Sequence, residues 1–422
     1  MKSSIHLYFL LIIPIFFSGH QIKKDQKSSL DKRTEISRVI VGAEQLLSPE
    51  FFSKIQNKRI GLITNHTGLL PDGQHLIDVL YKHPEVELTL LFGPEHGLRG
   101  EEDNHVENGM DSKTGLKIIS LYGKTRKPTA EMLAQVDVLI FDIQDIGARY
   151  YTYIKTMLWA QEAAAEQKVP FIVLDRPNPI GGDYVDGPVE PIAENGSIPI
   201  THGMTIGELA LMFNGNRKNN GLAEADLTVI PMKNYDRQQW YDDTGLPWIK
   251  PSPNMLTLKT ATMYPATCLI EGTNVSDGRG TMRPFEQIGA PWINGTKLAE
   301  HLNSYQLSGI EFKPIRFVPD SIVDGIKIYP PKFLGEEVDG IEMIVTDRNT
   351  FKSAQAGIYI LDALRTLYQE RLELRQRRLD GLLGTPEVRL KLEAGESPKT
   401  IIEDWAIEVD SFKQKRKRYL LY

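Results

Sequence analysis

The sequence predicts an α/β fold built on a parallel sheet, and two patterns carry that prediction. From residue 37 onward, short and continuously apolar runs alternate with amphipathic stretches, the pattern of strands buried on both faces by crossover helices. Four of these runs also end in clusters of polar residues, as expected where a parallel sheet presents its carboxyl edge to a ligand. At 422 residues the chain is too long for one ordinary core, so a second domain is expected.

In chain order, the first strand is RIGLIT (59–64), followed by Asn65, His66 and Thr67. A helix is predicted over 73–83. The next strand, ELTLLF (87–92), runs into Gly93, Pro94, Glu95 and His96, with further glycines that let the backbone turn sharply. LKIISL (116–121) precedes a helix over 129–135. DVLIFDI (137–143) carries Asp142 and leads to Gln144 and Asp145, before a helix over 152–167. PFIVLD (170–175) ends in Asp175, Arg176, Pro177 and Asn178. The segment 201–216 contains an amphipathic helix, with Thr205 as its cap and Glu208 at capping-box spacing. LTVIPM (227–232) is a further strand.

Near residue 263 the composition shifts to longer irregular stretches rich in Gly, Pro and Asn, and a long helix is predicted over 353–378. The expected division is therefore 37–262 for the sheet domain and 263–422 for a smaller α+β domain. Ahead of both, Lys2 and the apolar stretch Leu7–Phe17 read as a signal peptide over 1–20, too short to cross a bilayer, with a flexible leader over 21–36. The expectation is export, with the periplasm as the default compartment.

Composition and motifs remove several functions. A net charge of −6 leaves no electrostatic footprint for nucleic acid, and the basic run KQKRKR at 413–418 reads as a solvated face. No dinucleotide fingerprint, phosphate loop or nucleophile elbow is present. Cys268 is the only cysteine, so no internal disulfide forms, and its apolar surroundings point to packing. His66, His96 and His202 lack paired metal-ligand spacing, so no metal is expected.

Glycoside hydrolysis asks less. It needs a proton donor at the leaving oxygen and a second group to stabilise or trap an oxocarbenium-like transition state. Glu95, Asp142, Asp145 and Glu271 are available for those roles. Arg99, Arg149 and Arg176 suit an anionic sugar substituent, and Tyr150, Tyr151 and Tyr153 offer stacking surfaces and hydroxyl donors.

The motifs GLITNHTG, LLFGPEHGLRGE, VLIFDIQDIGARYYTYI, VLDRPNPIGG, ITHGMTIGELA and EGTNVSDGRGTMRPFEQIGAPW resemble those of the NamZ-type exo-β-N-acetylmuramidases. The likeness runs in order from about residue 40 to the C-terminus. It implies a Rossmann-like domain without nucleotide, a smaller second domain, and an active site in the cleft between them. It further implies removal of β-1,4-linked N-acetylmuramic acid from the non-reducing end of peptidoglycan fragments, without a cofactor.

By motif, Glu95 is the expected catalytic acid and His96 orients it. Asp142 heads the candidates for the second group, with Asp145, Glu271 and a tyrosine hydroxyl as alternatives. Asn65, His66, Arg99, Gln144, Asp145, Arg149, Tyr150, Tyr151, Asp175, Arg176, Asn178 and His202 are expected to line the sugar pocket. Glu271, Thr273 and Asn274 would come from the second domain. One departure stands out: KFLGEEVDG (332–340) has Val338 where the family pattern leads one to expect cysteine. The alternative of a different class is a non-catalytic cell-wall sugar-binding protein using the same cleft.

Overall fold

The computed structural model describes residues 38–98, 108–193 and 196–422. The signal peptide and leader expected over 1–36, and Arg99, lie outside the described residues. The strands form in the order β1 Arg59–Thr64, β2 Glu87–Gly93, β3 Gly109–Met110, β4 Lys117–Ser120, β5 Val138–Asp142 and β6 Phe171–Leu174. There follow β7 Glu190–Ala193, β8 Gly196–Ile198 and β9 Leu227–Ile230. The later part adds β10 Gln287–Ala290, β11 Ile310–Phe317, β12 Ile322–Val323, β13 Ile326–Lys327 and β14 Val338–Val345.

The central sheet has seven strands in the order β3-β4-β2-β1-β5-β6-β9, all parallel except the short edge strand β3. Every residue of β5 and β6 is buried, as apolar runs sandwiched between helices must be. The chain adds strands outward from β1 on one side and from β5 on the other, so the topology switches between these two neighbours. A ligand crevice is expected at that point, on the carboxyl edge.

Helices cover both faces. Thr152–Gln167 matches its predicted span, and Ile206–Asn219 begins with Thr205 and Glu208 closing the expected capping box. The helix predicted over 353–378 instead breaks into Ser353–Tyr368 and Gln376–Leu383. A tertiary contact competes with helix continuation there. Asn274 donates to the Arg371 carbonyl and accepts from the Glu373 amide, while Thr273 bridges to Leu374.

The C-terminal part holds a three-stranded antiparallel sheet, β10-β14-β11, with the helix Gly295–Ser304 packed on it and Ser353–Tyr368 packed on that helix. Val338, the residue standing where cysteine was expected, is fully buried at the start of β14. The helix Leu258–Thr267 spans the residue at which the sequence divides.

The end of the chain returns to the sheet domain. Arg416 is buried, not solvated as its basic run suggested, and its guanidinium reaches the carbonyls of Gly182, His202 and Gly203. Tyr422 places its hydroxyl on Asp175, at 2.8 Å.

Candidate active site

The polar residues at the ends of β1, β2, β5 and β6 do gather at one edge, but their side chains divide into two groups. The first group is saturated by protein partners. Asp142 is fully buried, and both of its oxygens are taken by Arg176, at 2.6 and 3.0 Å. Asp142, expected as a catalytic group, and Arg176, expected as an anion ligand, thus neutralise each other inside the fold. Asp175 accepts from the Thr205 hydroxyl, the Gly207 amide and the Tyr422 hydroxyl, each at 2.8 Å. Only glycine fits at 207, because a Cβ there would lie 2.7 Å from the Asp175 carboxyl carbon. Burial and then the charge of Glu208 push the Asp175 carboxyl up to about 7.

Arg149 spends its guanidinium on four carbonyls, those of Pro188, Ile198, Leu382 and Leu383. It fastens the helix Gln376–Leu383 to the sheet domain and does not present a fork to a substrate. Asn178 is held by Met204 and Ile180, and Thr273 closes a turn on the Ile270 carbonyl. Glu271 is buried between Arg279 and Arg378, so it too is neutralised rather than free for catalysis. Cys268 is buried, and its thiol is raised well above its ordinary range by that burial, consistent with packing.

The second group keeps hydrogen-bonding capacity in reserve. Glu95 follows β2 and is half-buried, and it accepts a 2.7 Å bond from the Thr152 hydroxyl at the first residue of the helix Thr152–Gln167. That helix terminus favours a negative charge. Tyr122, beyond β4, has its phenol pushed up to about 12 by burial and by the Glu95 carboxylate beside it.

After Glu95 the backbone turns back through His96 (φ 67°) and Gly97 (φ 73°). A left-handed histidine costs about 1–2 kcal/mol relative to glycine or a right-handed residue. Such strain is common where a turn aims functional side chains. His66 bonds the Lys250 carbonyl, and burial first, then the neighbouring charge of His96 among others, lowers its pKa.

Behind Glu95, Tyr151 and Tyr153 meet edge to face at 4.9 Å, and the Tyr153 hydroxyl donates to the Pro251 carbonyl at 2.6 Å. Tyr150 is anchored to the carbonyls of Tyr264 and Pro265 in the helix Leu258–Thr267. Asn65 accepts from the amide and hydroxyl of Thr67, shaping the loop after β1.

Asp145 is buried and accepts the Gly147 amide at 2.8 Å through Oδ2, whereas its Oδ1 has no hydrogen-bond partner. Burial pushes its carboxyl up to about 7. His202 Nε2 lies 3.9 Å from Asp145 and is also unpartnered, its imidazole pushed down to about 3 by burial and then by Arg416. At those values both groups are neutral between about pH 3 and pH 7. Gln144 similarly keeps Oε1 unpartnered, at the wall of a cavity of about 110 Å³ lined by Thr67, Leu69, Arg176, Tyr241 and Leu246. Glu95 is not part of that wall, so the cavity and the carboxylate are separate features of the same edge.

Tyr122, which meets Glu95, carries no signal in the sequence. Thr152 lay within a quoted motif, but only the fold brings it to Glu95. Among the described residues, no group of three His, Cys, Asp or Glu side chains is arranged to hold a metal ion.

Comparison with known proteins is specific. Residues 60–259 match the family model described as exo-beta-N-acetylmuramidase NamZ, N-terminal, and residues 262–422 match its C-terminal counterpart. A peptidoglycan beta-N-acetylmuramidase NamZ of Bacillus subtilis (strain 168) is 45% identical over 408 residues, covering 94% of each chain. A crystal structure of a DUF1343 family protein from Bacteroides fragilis NCTC 9343 superposes with a TM-score of 0.82 at 37% identity, covering 91% of this chain and 99% of that one. A second such protein from the same strain gives 0.71 at 38% identity, covering 92% and 99%.

Proposed function

The chain belongs to the exo-beta-N-acetylmuramidase NamZ family and is a glycosidase, an exo-acting β-N-acetylmuramidase, and we propose that Glu95 protonates the glycosidic oxygen leaving a non-reducing-end muramic acid. One observation carries this reading. Of the carboxylates weighed for the role, Glu95 is the one that is both accessible and, among the described residues, held by neutral hydroxyl partners, Thr152 and Tyr122, rather than by a guanidinium. A carboxylate locked to arginine cannot cycle through its protonated form, whereas one held by hydroxyls can donate and recover a proton.

Asp145 is the second carboxyl in this reading. It has an uncommitted oxygen, it lies near Tyr151 and Tyr153, and its raised pKa lets it exchange a proton close to neutrality. Its separation from Glu95 in the substrate complex sets the stereochemical course. His96, next to Glu95 on the strained turn, steadies the loop that presents the acid. The substrates are peptidoglycan-derived saccharides bearing N-acetylmuramic acid, met outside the cytoplasm after export directed by the apolar stretch that follows Lys2.

The test is release of a chromogenic aglycone from a β-N-acetylmuramide, beside the matching N-acetylglucosaminide, for the wild type and Glu95→Gln, each with and without EDTA. The expected result is muramide-selective turnover that survives EDTA and is lost in Glu95→Gln while binding persists. Absence of wild-type turnover with muramic acid still bound would make the protein a sugar-binding module. Fractionation of cells producing the full chain tests export: retention in the cytoplasm would refute it.

A further inference from the structure

A muramidase must recognise a carboxylate, because the lactyl group that distinguishes muramic acid from glucosamine carries one. Of the arginines the sequence offered for that task within the described residues, Arg149 is consumed by carbonyls and Arg176 by Asp142. Among the described residues, the positive charge near Glu95 comes from elsewhere.

Thr152, the residue that bonds Glu95, opens a helix on which Lys155 stands three residues further on and Trp159 a further four, so the three share one face. Arg126 lies over the Trp159 ring, 5.9 Å from its centre. From the C-terminal part, Arg378 approaches with its side chain more than half exposed, and Glu271 occupies one of its nitrogens.

These cations lack the usual compensation. Among the described residues, no carboxylate lies within ion-pair reach of Lys155 or Arg126. The acidic residues of the same helix, Glu162 and Glu166, are drawn off to Lys127. The Lys155 and Arg126 side chains both reach solvent, and the Lys155 ammonium is pushed down, first by partial desolvation of its stem and then by the like charges of Arg149, Arg126 and Arg378. Arg126 and Arg378 also bear on the Tyr122 phenol, which touches Glu95. Uncompensated like charges are unfavourable in a folded protein, and they are relieved when an anion binds among them.

We propose that Lys155 and Arg126, with Arg378 facing them, form the subsite that binds the lactyl carboxylate, and so select muramic acid over glucosamine. This rests on the hydrolase reading and adds the residues that decide its substrate. Binding the carboxylate across the seam between the two parts of the chain also fixes the sugar ring relative to Glu95.

The experiment compares three chromogenic glycosides on the wild type, Lys155→Met, Lys155→Arg and Arg126→Met. They are the β-N-acetylmuramide, its lactyl methyl ester, and the muramoyl-L-alanine glycoside, whose carboxylate is displaced by one residue. A charge-assisted hydrogen bond of this kind is worth about 10- to 100-fold in recognition. The wild type should therefore favour the free acid over the ester by about that ratio in kcat/KM.

Lys155→Met and Arg126→Met should collapse the ratio toward one, mainly through KM for the acid, and Lys155→Arg should restore much of it. An acid-to-ester ratio within about twofold of the wild type's in both methionine variants would overturn the proposal, because a merely structural loss lowers both substrates together. Dependence on Lys155 for the alanyl substrate alone would also overturn it, by assigning the cations to a peptide carboxylate. A wild type that turned over none of the three would instead strike the hydrolase reading itself.

Discussion

Two polar clusters share the carboxyl edge of one sheet, and they differ in how completely their groups are satisfied. Around β6, Asp142, Asp175, Arg176 and Asn178 have their charges and hydrogen bonds met within the protein. Around β2 and the loop after β5, Asp145 keeps an unpartnered oxygen, and among the described residues Glu95 meets no guanidinium and the exposed Lys155 and Arg126 meet no carboxylate. A saturated buried network rigidifies a fold. Polar groups left short of partners cost stability and are kept where a ligand completes them. The comparison teaches that residue type and position at a strand end do not assign function, whereas unspent bonding capacity does.

The largest expected effect lies on the unsaturated side. Glu95→Gln keeps the shape and loses the proton, so kcat should fall by about 10³-fold, with substrate affinity retained when measured by calorimetry. On the saturated side, Arg176→Met leaves the Asp142 carboxylate buried and unpaired. Breaking such a pair costs about 3–5 kcal/mol, to be read as a fall in urea midpoint. An unchanged midpoint would erase the distinction between the clusters.

Asp145→Asn sharpens the comparison through pH. The folded pKa is raised from 3.8 to about 7, so the folded state holds the proton more tightly than the unfolded chain. The stability this contributes is full below pH 3.8 and is lost as pH rises through 7. His202 acts in the opposite sense. Neutral in the fold, with its pKa lowered from 6.5 to about 3, it contributes stability that is present above 6.5 and lost as pH falls through 3. The difference between wild type and Asp145→Asn isolates the carboxyl. The variant should gain in relative Tm from pH 4 to pH 8, and a constant difference in Tm would contradict the raised pKa. Smallest is Tyr122→Phe, which removes one hydroxyl at Glu95 and should lower kcat/KM by about tenfold or less, the worth of one hydrogen bond.

Much of the architecture was legible because it is local. Buried parallel strands show as unbroken apolar runs, and the Thr205–Glu208 capping box fixes a helix start within four residues. The three-stranded sheet of the C-terminal part was not legible, because the strands that begin at Gln287, Ile310 and Val338 come together only through long-range pairing. The predicted helix over 353–378 failed for a similar reason, since Asn274 reaches across almost a hundred residues to hold the break.

At the site, the clusters after β1, β2, β5 and β6 were foreseen, but not which groups would be spent. Arg149 finds its carbonyls at Leu382 and Leu383, more than two hundred residues away, and no local pattern encodes that. Lys155 carries no signal of its own in the sequence, since a lone lysine on a helix ordinarily marks a solvated face. Its meaning depends on Arg126 and Arg378, which only the fold brings near.

The most direct measurement determines kcat/KM on a chromogenic β-N-acetylmuramide and the urea midpoint in parallel for Glu95→Gln and Arg176→Met. The account predicts a double dissociation. Glu95→Gln should lose turnover while keeping the wild-type midpoint, and Arg176→Met should lose stability yet retain measurable turnover where it remains folded. Glu95→Gln that still cleaves the muramide at near wild-type rate would contradict the assignment of the acid, and with it the rule that separates the two clusters.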